Sequence, residues 1–412
     1  MTPRSLDVWN NAEKAGLLGQ NDSYFFNYLP DTPVERIVSL TMPYRLQSWV
    51  SERELHPIFQ MNLPEGALRE AIRNAFAKVV AVDDIALLRI TGGNQIGRNR
   101  FSLPDSGIPM INEKPESLDD ILTYPDAVEL FNELMARHAE HSGISGIQPK
   151  VILEATERAT VTAAAYIVKS WGNEYPQLAA NEYFCMTAVK LAGLPAPEFS
   201  LSENGGLYVM KRFDLTEDGE NLGFEDFCSL QALGTDRKYD SSYERVARTI
   251  KEFVSTEHLA SAREQLFATL VLSSMVRNGD AHLKNFGILY RHPDGPVTLA
   301  PVYDIVTTTA YLRKDVPALH LAGTKKWWSR KILERFAVRS LSLSARQTTR
   351  IIERVAEAVL EAATLIPPYI REHPDFEEIG DRMLSIWRAG VDTFAQSASC
   401  DPPFPLRPYH EA

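Results

Sequence analysis

Apolar and polar residues alternate along the first hundred positions in patterns that predict a small α+β unit. Residues 6–9 and 24–29 are two short runs of β-favouring residues, each followed by a turn signal, which is typical of β-strands. After the tetrapeptide Leu-Pro-Glu-Gly at 63–66, residues 67–76 place apolar side chains at helical spacing among strong helix formers. This part of the chain is therefore predicted to combine strands with a helix.

The middle of the chain changes character after a stretch that mixes proline, glycine and acidic residues. This stretch, residues 103–122, is predicted to be a linker or an irregular crossing segment. A helix is predicted over residues 127–137, and a Gly/Ser-rich turn at 141–150 leads into strands at 151–155 and 160–169. The strand pair marks the start of a second folding unit.

The remaining sequence is predicted to be mostly helical. A helix over residues 181–191 precedes a strand pair that ends at residues 207–213, and helical spacing dominates from about residue 241 onward. The best apolar run, residues 266–272, is far shorter than the roughly 20 residues that cross a bilayer. We therefore expect no membrane partner.

Composition changes this picture by excluding alternatives. With 412 residues, of which 44% are hydrophobic and 24% charged, the chain is typical of a globular protein of two or three domains, not of a disordered chain, coiled coil or collagen-like fibre. Its formal net charge of -11 is the wrong sign for a general nucleic-acid coat protein. The three cysteines form no CxxC pair and the first residues have no apolar core. We therefore expect a cytoplasmic protein without a disulfide framework or zinc knuckle.

The strongest candidate chemistry lies in the sequence Asn-Gly-Asp-Ala-His-Leu-Lys-Asn at 278–285. It places Asp280 and Asn285 five positions apart on a turn after an apolar helix, and Asp304 follows at the end of an apolar run. One aspartate can accept the proton of an attacking hydroxyl, while an asparagine and a second aspartate offer oxygen ligands for Mg²⁺. The set favours phosphoryl transfer, although Asn-Gly-Asp is also an ordinary turn and such pairs arise by chance.

Residues upstream follow the order of a kinase N-terminal lobe. Lys169 ends an apolar strand, a glycine-rich turn precedes it, and Glu182 lies on the following helix. In kinases such a lysine holds the ATP phosphates and pairs with a helix glutamate. The alternative is that Lys169 is a solvated strand end and Glu182 a solvated helix position. Neither a P-loop nor a G-x-G-x-x-G fingerprint is present.

Four segments together resemble the HipA family of serine/threonine kinases, the toxins of bacterial toxin–antitoxin pairs. They are Ser-Gly-Ile-Gln-Pro-Lys at 145–150, Tyr-Val-Met-Lys-Arg-Phe-Asp at 208–214, the string at 278–285, and Leu-Ala-Pro-Val-Tyr-Asp at 299–304. The tetrapeptide at 63–66, with the strands before it, resembles the small N-terminal subdomain of these toxins. The resemblance covers most of the chain.

The resemblance implies a two-lobed, α+β, protein-kinase-like fold. An extra small N-terminal α/β subdomain would precede a β-rich ATP-binding part and a mainly helical C-terminal catalytic lobe, with ATP between them. The expected parts are the subdomain, a linker with a helix, the β-rich part and the catalytic lobe, at residues 1–105, 106–140, 141–225 and 226–412.

The resemblance also implies roles for individual residues of the catalytic lobe. Asp280 would be the catalytic aspartate, and Asn285 and Asp304 would hold Mg²⁺. Lys284 would help to neutralise the transferred phosphate, and His282 would pack the catalytic loop. ATP and Mg²⁺ are therefore the expected cofactors.

A second set of implied roles concerns ATP binding. Lys169 would contact the ATP phosphates, and the backbone of Lys211 and Phe213, in a hinge that starts at Met210, would bond adenine. The loop over the phosphates would comprise Gly143, Ile144, Ser145, Gly146 and Ile147. Family members autophosphorylate a serine of this loop, which expels the loop and disables ATP binding. Here the expected site is Ser145, with Ser142 second, because Gly143 stands where some members carry another serine.

Partners follow from the same resemblance. The expected substrate is an aminoacyl-tRNA synthetase, with the glutamyl enzyme the best-known choice and tRNA as an accompanying partner, so that translation and growth stop and persistence is promoted. A DNA-binding antitoxin similar to HipB would bind the chain, and DNA would be reached through that complex. The alternatives are a catalytically weak corepressor and an enzyme that transfers a nucleotidyl group. The basic and aromatic residues 325–331 either touch nucleic acid or belong to an amphipathic helix with Trp327 or Trp328 in the core.

Overall fold

The computed structural model describes residues 5–76, 82–108, 114–144, 148–156 and 163–396. Within these ranges the chain forms three sheets and a mainly helical C-terminal lobe. None of the helices in the described ranges combines the length and apolar character that a membrane span needs. Cys185 and Cys228 are buried thiols without a disulfide partner among the described residues.

The N-terminal domain is built on a five-stranded sheet in the order β4-β3-β2-β1-β5. Its strands are β1 (Ser5–Asn10), β2 (Glu13–Gln20), β3 (Tyr24–Tyr28), β4 (Trp49–Ser51) and β5 (Asn99–Ser102). Between β4 and β5 lie α1 (Pro57–Gln60), α2 (Gly66–Phe76) and α3 (Asp84–Thr91). Leu6, Val8 and Leu18 are at most 1% exposed and share one buried cluster with apolar residues of these helices. Since every strand pairing is antiparallel, the domain is an α+β unit, as the residue pattern predicted.

The second sheet has the order β6-β7-β8-β10-β9. Its strands are β6 (Glu116–Ser117), β7 (Lys150–Thr156), β8 (Ala163–Lys169), β9 (Phe199–Leu201) and β10 (Tyr208–Lys211), and its helices are α4 (Leu118–Thr123), α5 (Ala127–His138) and α6 (Leu178–Leu191). Side chains alternate between its two faces. Val151 and Val168 pack with α5, whereas Ile152 and Ile167 join the cluster that contains α6. Lys169 continues the face of Ile167, which directs its side chain toward α6.

The stretch predicted to be a linker, residues 103–122, contains regular structure in its second half. β6 pairs in parallel with β7, with Glu116 opposite Ala155, and α4 follows it directly. Glu116 and Ser117 are both polar, so no apolar alternation marks this strand in the sequence. The prediction of an irregular segment was therefore wrong over residues 116–122.

The C-terminal lobe is mainly helical, as predicted. Its small sheet has the order β11-β12-β13, with β11 (Gly223–Asp226), β12 (Gly287–Tyr290) and β13 (Val297–Leu299). Its helices are α7 (Phe227–Leu230), α8 (Tyr243–Phe253), α9 (Thr256–Val276), α10 (Arg330–Leu341), α11 (Ala345–Ala363), α12 (Ile366–Glu372) and α13 (Glu377–Gln396). Every residue from 266 to 276 is at most 5% exposed, because α9 is packed between α11 and α13. The apolar run at 266–272 is thus the middle of the central helix of the lobe.

The basic and aromatic residues 325–331 lead into α10 and take part in packing. Trp328 is 3% exposed, and its ring packs edge-on against Tyr243 with the ring centroids 5.4 Å apart. Trp327 donates its indole N–H to the carbonyl oxygen of Asp315 at 3.0 Å. Trp328 therefore lies in the core, as one interpretation expected, but residues 325–329 precede α10 instead of forming part of a helix.

Buried charged groups fasten the N-terminal domain to the rest of the chain. Arg212 and Asp214 form a bidentate ion pair with N···O distances of 2.9 and 2.6 Å, and both side chains are 2% exposed. Asp214 also accepts the N–H of Gly97 at 2.6 Å, and Arg212 donates to the carbonyl oxygen of Gln95 at 2.8 Å. One ion pair next to β10 therefore holds the loop that precedes β5.

A second buried carboxylate makes a similar link. Glu225 on β11 accepts hydrogen bonds from the Ser39 hydroxyl at 2.6 Å and from the Leu40 N–H at 2.7 Å. Tyr290 on β12 donates its hydroxyl to the same carboxylate at 2.7 Å. Since a buried carboxylate is costly without such donors, this contact fixes the loop between β3 and β4 on the C-terminal lobe.

Candidate active site

The candidate catalytic aspartate lies on a tight turn where α9 ends. Arg277 ends the helix in the left-handed conformation, with φ of 58°. The side-chain oxygen of Asn278 accepts the N–H of Asp280 at 3.1 Å. A Cβ at position 279 would meet the carboxylate of Asp315, so that a larger residue there would have to displace that side chain. Glycine therefore lets the Asp315 carboxylate lie directly against this turn.

Asp280 lines a cavity together with the rings of Tyr239 and His282. Tyr239 donates its hydroxyl to Asp280 Oδ1 at 2.8 Å, and the His282 ring packs edge-on against Tyr239 with the ring centroids 5.2 Å apart. Burial raises the pKa of Asp280 to about 6 and lowers the pKa of His282 to about 3. His282 is therefore neutral at pH 7 and packs the loop, while ionised Asp280 can accept a proton.

Asn285 and Asp304 lie side by side, as their predicted role requires. The Asn285 amide donates to Asp304 Oδ2 at 3.1 Å, and among the described residues no donor reaches the buried Asn285 Oδ1. Burial alone would raise the pKa of Asp304, but Lys169 and Lys150 outweigh it and hold this pKa far below its ordinary value. An ionised carboxylate beside an unpaired amide oxygen is a donor set that suits Mg²⁺.

Lys169 connects the two lobes through an ionic chain. Its ammonium lies 2.6 Å from Glu182 Oε1 and 2.7 Å from Asp304 Oδ1, and its side chain is 3% exposed. Burial alone would lower the pKa of Lys169, but the two carboxylates raise it above its ordinary value. Burial raises the pKa of Glu182 to about 7. The predicted pairing of Lys169 with Glu182 is present, and the interpretation of both residues as solvated positions was wrong.

Met210, Arg212 and Phe213 of the predicted hinge line the cavity, whereas Lys211 is not among the lining residues. The Lys211 N–H donates to the carbonyl oxygen of Glu198 at 2.9 Å, so this group is already paired within the protein. Among the described residues the structure shows no acceptor for the Phe213 N–H. The Phe213 ring stacks on Tyr303, with the ring centroids 5.2 Å apart and an interplanar angle of 29°. A backbone donor and stacked rings suit the edge and face of a purine.

The glycine-rich loop is described only in part, because residues 145–147 lie outside the described ranges. Gly143 donates its N–H to the carbonyl oxygen of Asn94 at 2.9 Å and accepts the N–H of Ile96 at 3.3 Å. A Cβ at this position would collide with the Gln95 side chain. The Gly143 N–H is therefore paired within the protein, and this glycine allows close packing against the N-terminal domain.

Lys284 lines the cavity and is held by the N-terminal domain. Its ammonium lies 2.9 Å from Glu65 Oε1 and donates to the carbonyl oxygen of Met61 at 3.3 Å. Lys238 lies 3.3 Å from Glu65 Oε2. Burial alone would raise the pKa of Glu65, but the two lysines lower it below its ordinary value. Three charges therefore meet beside the catalytic loop.

A cavity of about 930 Å³ joins these groups and is large enough for a nucleotide. Its lining includes the predicted residues Ile144, Lys169, Met210, Phe213, Asp280, Lys284 and Asp304. Met61, Asn62 and Ile96 of the N-terminal domain line it as well, and sequence reasoning missed them, together with Tyr239. No local pattern marks these residues, and the tetrapeptide at 63–66 was the nearest signal.

Comparisons with known proteins agree with this architecture. The family model for the HipA-like C-terminal domain matches residues 142–363, and the model for the HipA N-terminal domain matches residues 6–102. A Sinorhizobium fredii protein with the provisional name kinase Y4dM is 28% identical, over 66% of this chain and 66% of its own length. A second protein of that organism, with the provisional name kinase Y4mE, is 29% identical, over 76% of this chain and 79% of its own length. The serine/threonine-protein kinase toxin HipA of Shewanella oneidensis is 20% identical over 323 residues, 71% of this chain and 73% of that protein.

The fold is also similar to a solved structure. A chain from the complex of HipA, HipB and operator DNA of Shewanella oneidensis MR-1 superimposes with a TM-score of 0.68 at 16% identity, covering 95% of this chain and 97% of the other. The C-terminal family model alone spans more than half of the sequence. The chain belongs to the HipA family of kinases.

Proposed function

We propose that this protein is a toxin kinase that uses ATP and Mg²⁺ to phosphorylate a serine or threonine of a translation component. The observation that carries the proposal is the chain of contacts from Glu182 through Lys169 to Asp304, at 2.6 and 2.7 Å, on the cavity that also holds Asp280. Phosphoryl transfer depends mainly on positioning and charge neutralisation. These residues supply both.

The geometry divides the reaction among a few groups. Asp280 accepts the proton of the acceptor hydroxyl as this oxygen attacks the terminal phosphate. Lys169, fixed by Glu182, holds the nucleotide phosphates. Asp304 and the unpaired Asn285 oxygen are the residues that would hold Mg²⁺, which when bound neutralises charge on the phosphates.

The partners are proposed from the family. A HipB-type antitoxin that brings DNA to the complex is supported by the solved assembly of HipA, HipB and operator DNA in Shewanella oneidensis. An aminoacyl-tRNA synthetase, with the glutamyl enzyme first, is the proposed substrate. The cytoplasm is the proposed location, since ATP and translation are there.

The test of the proposed function is the intact mass of the protein before and after incubation with Mg²⁺ and ATP. We expect a phosphate-sized gain in the wild type and no gain in Lys169→Met, because the phosphates lose the cation that holds them. Lys190→Met, at an exposed helix position, is the matched control and should behave as the wild type does.

Other outcomes of this experiment favour the alternatives. A wild type that starts without phosphate and gains none supports the corepressor, and an adenylate-sized gain supports nucleotidyl transfer. An equal gain in Lys169→Met would contradict the role given to the ionic chain.

We further propose that the phosphate is placed on Ser145. Ser142 is fully buried: its hydroxyl donates to the carbonyl oxygen of His138 at 2.7 Å and accepts the N–H of Ile152 at 2.9 Å. Ser145→Ala should abolish the mass gain, and peptide mapping of the wild type should place the phosphate there. Ser142→Ala should keep the gain and lower the free energy of unfolding by about 1–3 kcal/mol, since the Ile152 N–H loses its acceptor. A gain that survives in Ser145→Ala would move the site elsewhere.

A further inference from the structure

Glu65 is the one charged side chain of the N-terminal domain found in ionic contact with the catalytic lobe among the described residues. Its carboxylate lies 2.9 Å from the Lys284 ammonium and 3.3 Å from the Lys238 ammonium. The side chains of Lys284 and Lys238 are only 8% and 10% exposed. In the described ranges, neither ammonium lies within ion-pair distance of another carboxylate. Removing the charge of Glu65 would therefore leave two buried cations unpaired.

The contact through Lys284 reaches the Mg²⁺ side of the site. The Lys284 carbonyl oxygen accepts the Tyr303 hydroxyl at 2.8 Å, and Tyr303 is followed directly by Asp304. The next residue, Asn285, donates to Asp304 Oδ2 at 3.1 Å. A displacement of Lys284 would therefore disturb the pair of groups that suits Mg²⁺.

The contact through Lys238 is linked to Asp280, the proposed base. The Lys238 carbonyl oxygen accepts the N–H of Leu283 in the catalytic loop at 3.1 Å. The next residue, Tyr239, donates its hydroxyl to Asp280 Oδ1 at 2.8 Å. A displacement of Lys238 would therefore release the hydrogen bond that orients the base.

We propose that Glu65 is a positioning residue that sets both sides of the catalytic loop through Lys284 and Lys238, so that phosphoryl transfer requires the N-terminal domain to be docked. This inference rests on the proposed kinase function and extends it to the regulation of the same site. Anything that lifts the loop at 61–66 away from the catalytic lobe slows the transfer step while Lys169 and the hinge stay in place.

The first arm of the test measures steady-state kinetics of phosphoryl transfer in Glu65→Gln, with Glu52→Gln, an exposed glutamate of the same domain, as the control. We expect kcat to fall about 10–100-fold, as for residues that orient groups at a metal site, and KM for ATP to change much less than kcat, because Lys169 and the hinge are intact. Lys284→Met should also lower kcat, and the double variant should lose much less than the product of the two losses. A kcat equal to that of the wild type, or fully additive losses, would overturn the proposal.

The second arm measures hydrogen exchange in the protein without nucleotide and does not depend on activity. In Glu65→Gln the amides of residues 280–286 should exchange faster than in the wild type, while those of α9 at 266–272 should not change. Equal protection of residues 280–286 in both proteins overturns the inference, and faster exchange in both segments indicates a general loss of stability and overturns it as well. If the wild type transfers no phosphate, the proposed function fails, and the exchange data still decide whether Glu65 holds the loop.

Discussion

Asp280→Asn is expected to lower kcat for phosphoryl transfer by about 10²–10⁴-fold, the range typical of a lost general base. The amide keeps the shape of the side chain and can still accept the Tyr239 hydroxyl, which bonds Asp280 Oδ1 at 2.8 Å. It cannot take the proton of the acceptor hydroxyl. ATP affinity should remain that of the wild type, because Lys169 and Asp304 are untouched. Single-turnover rates at saturating ATP, with ATP binding measured by calorimetry, check both statements.

A matched control and a pH series sharpen this expectation. Asp392→Asn changes an exposed aspartate of α13 and should leave the rate as it is. Since burial raises the pKa of Asp280 to about 6, the wild-type rate should fall as the pH is lowered through about 6, where the base takes up a proton. A wild-type rate that does not change between pH 5 and 7 would contradict the assignment of the base. An Asp280→Asn rate within a factor of about three of the wild-type rate would contradict it as well.

Asp214→Asn is expected to destabilise the protein by about 3–5 kcal/mol, the cost of removing one partner from a buried ion pair. Arg212 and Asp214 are both 2% exposed, so the guanidinium would be left buried without its counter-ion. The Gly97 N–H, which lies 2.6 Å from Asp214 Oδ2, would also lose its charged acceptor. The midpoint of denaturant unfolding, followed by circular dichroism, should therefore move to a clearly lower concentration.

The control for this prediction lies on the same segment of the chain. Asp218→Asn changes an exposed turn residue, and its unfolding midpoint should match that of the wild type. Arg212→Met combined with Asp214→Leu removes both charges at once, and we expect it to recover part of the lost stability. If Asp214→Asn unfolds at the wild-type midpoint, the ion pair does not fasten the two domains.

The order of the catalytic groups could be predicted from the sequence because each lies in a short segment with its own local signal. The turn at 278–285 follows an apolar helix, and Lys169 ends an apolar strand, so period and spacing place both residues at the ends of regular elements. β6 was missed because its two residues, Glu116 and Ser117, are polar. The packing of Gly143 against Asn94 and Gln95 could not be predicted either, since a glycine indicates close approach of another group but not which group approaches.

The contribution of the N-terminal domain could not be predicted for a different reason. Glu65 and Lys284 are 219 positions apart, and Asp214 and Gly97 are 117 apart. No periodicity or spacing connects such residues, because their meeting depends on how two folded surfaces dock. Side-chain contacts between domains are a property of the assembled fold rather than of any segment.

The hydrogen bond from Ser39 to Glu225 also has a consequence for folding during synthesis, because its two partners are made at different times. The two residues are 186 positions apart, and a ribosome adding about 5–20 residues per second needs roughly 10–40 s to cover that distance. The first domain leaves the ribosome long before the carboxylate that anchors it exists. Throughout that interval the Ser39 hydroxyl and the Leu40 N–H of the nascent chain lack their acceptor, so that this loop is open to chaperones or to misassembly with a neighbouring chain.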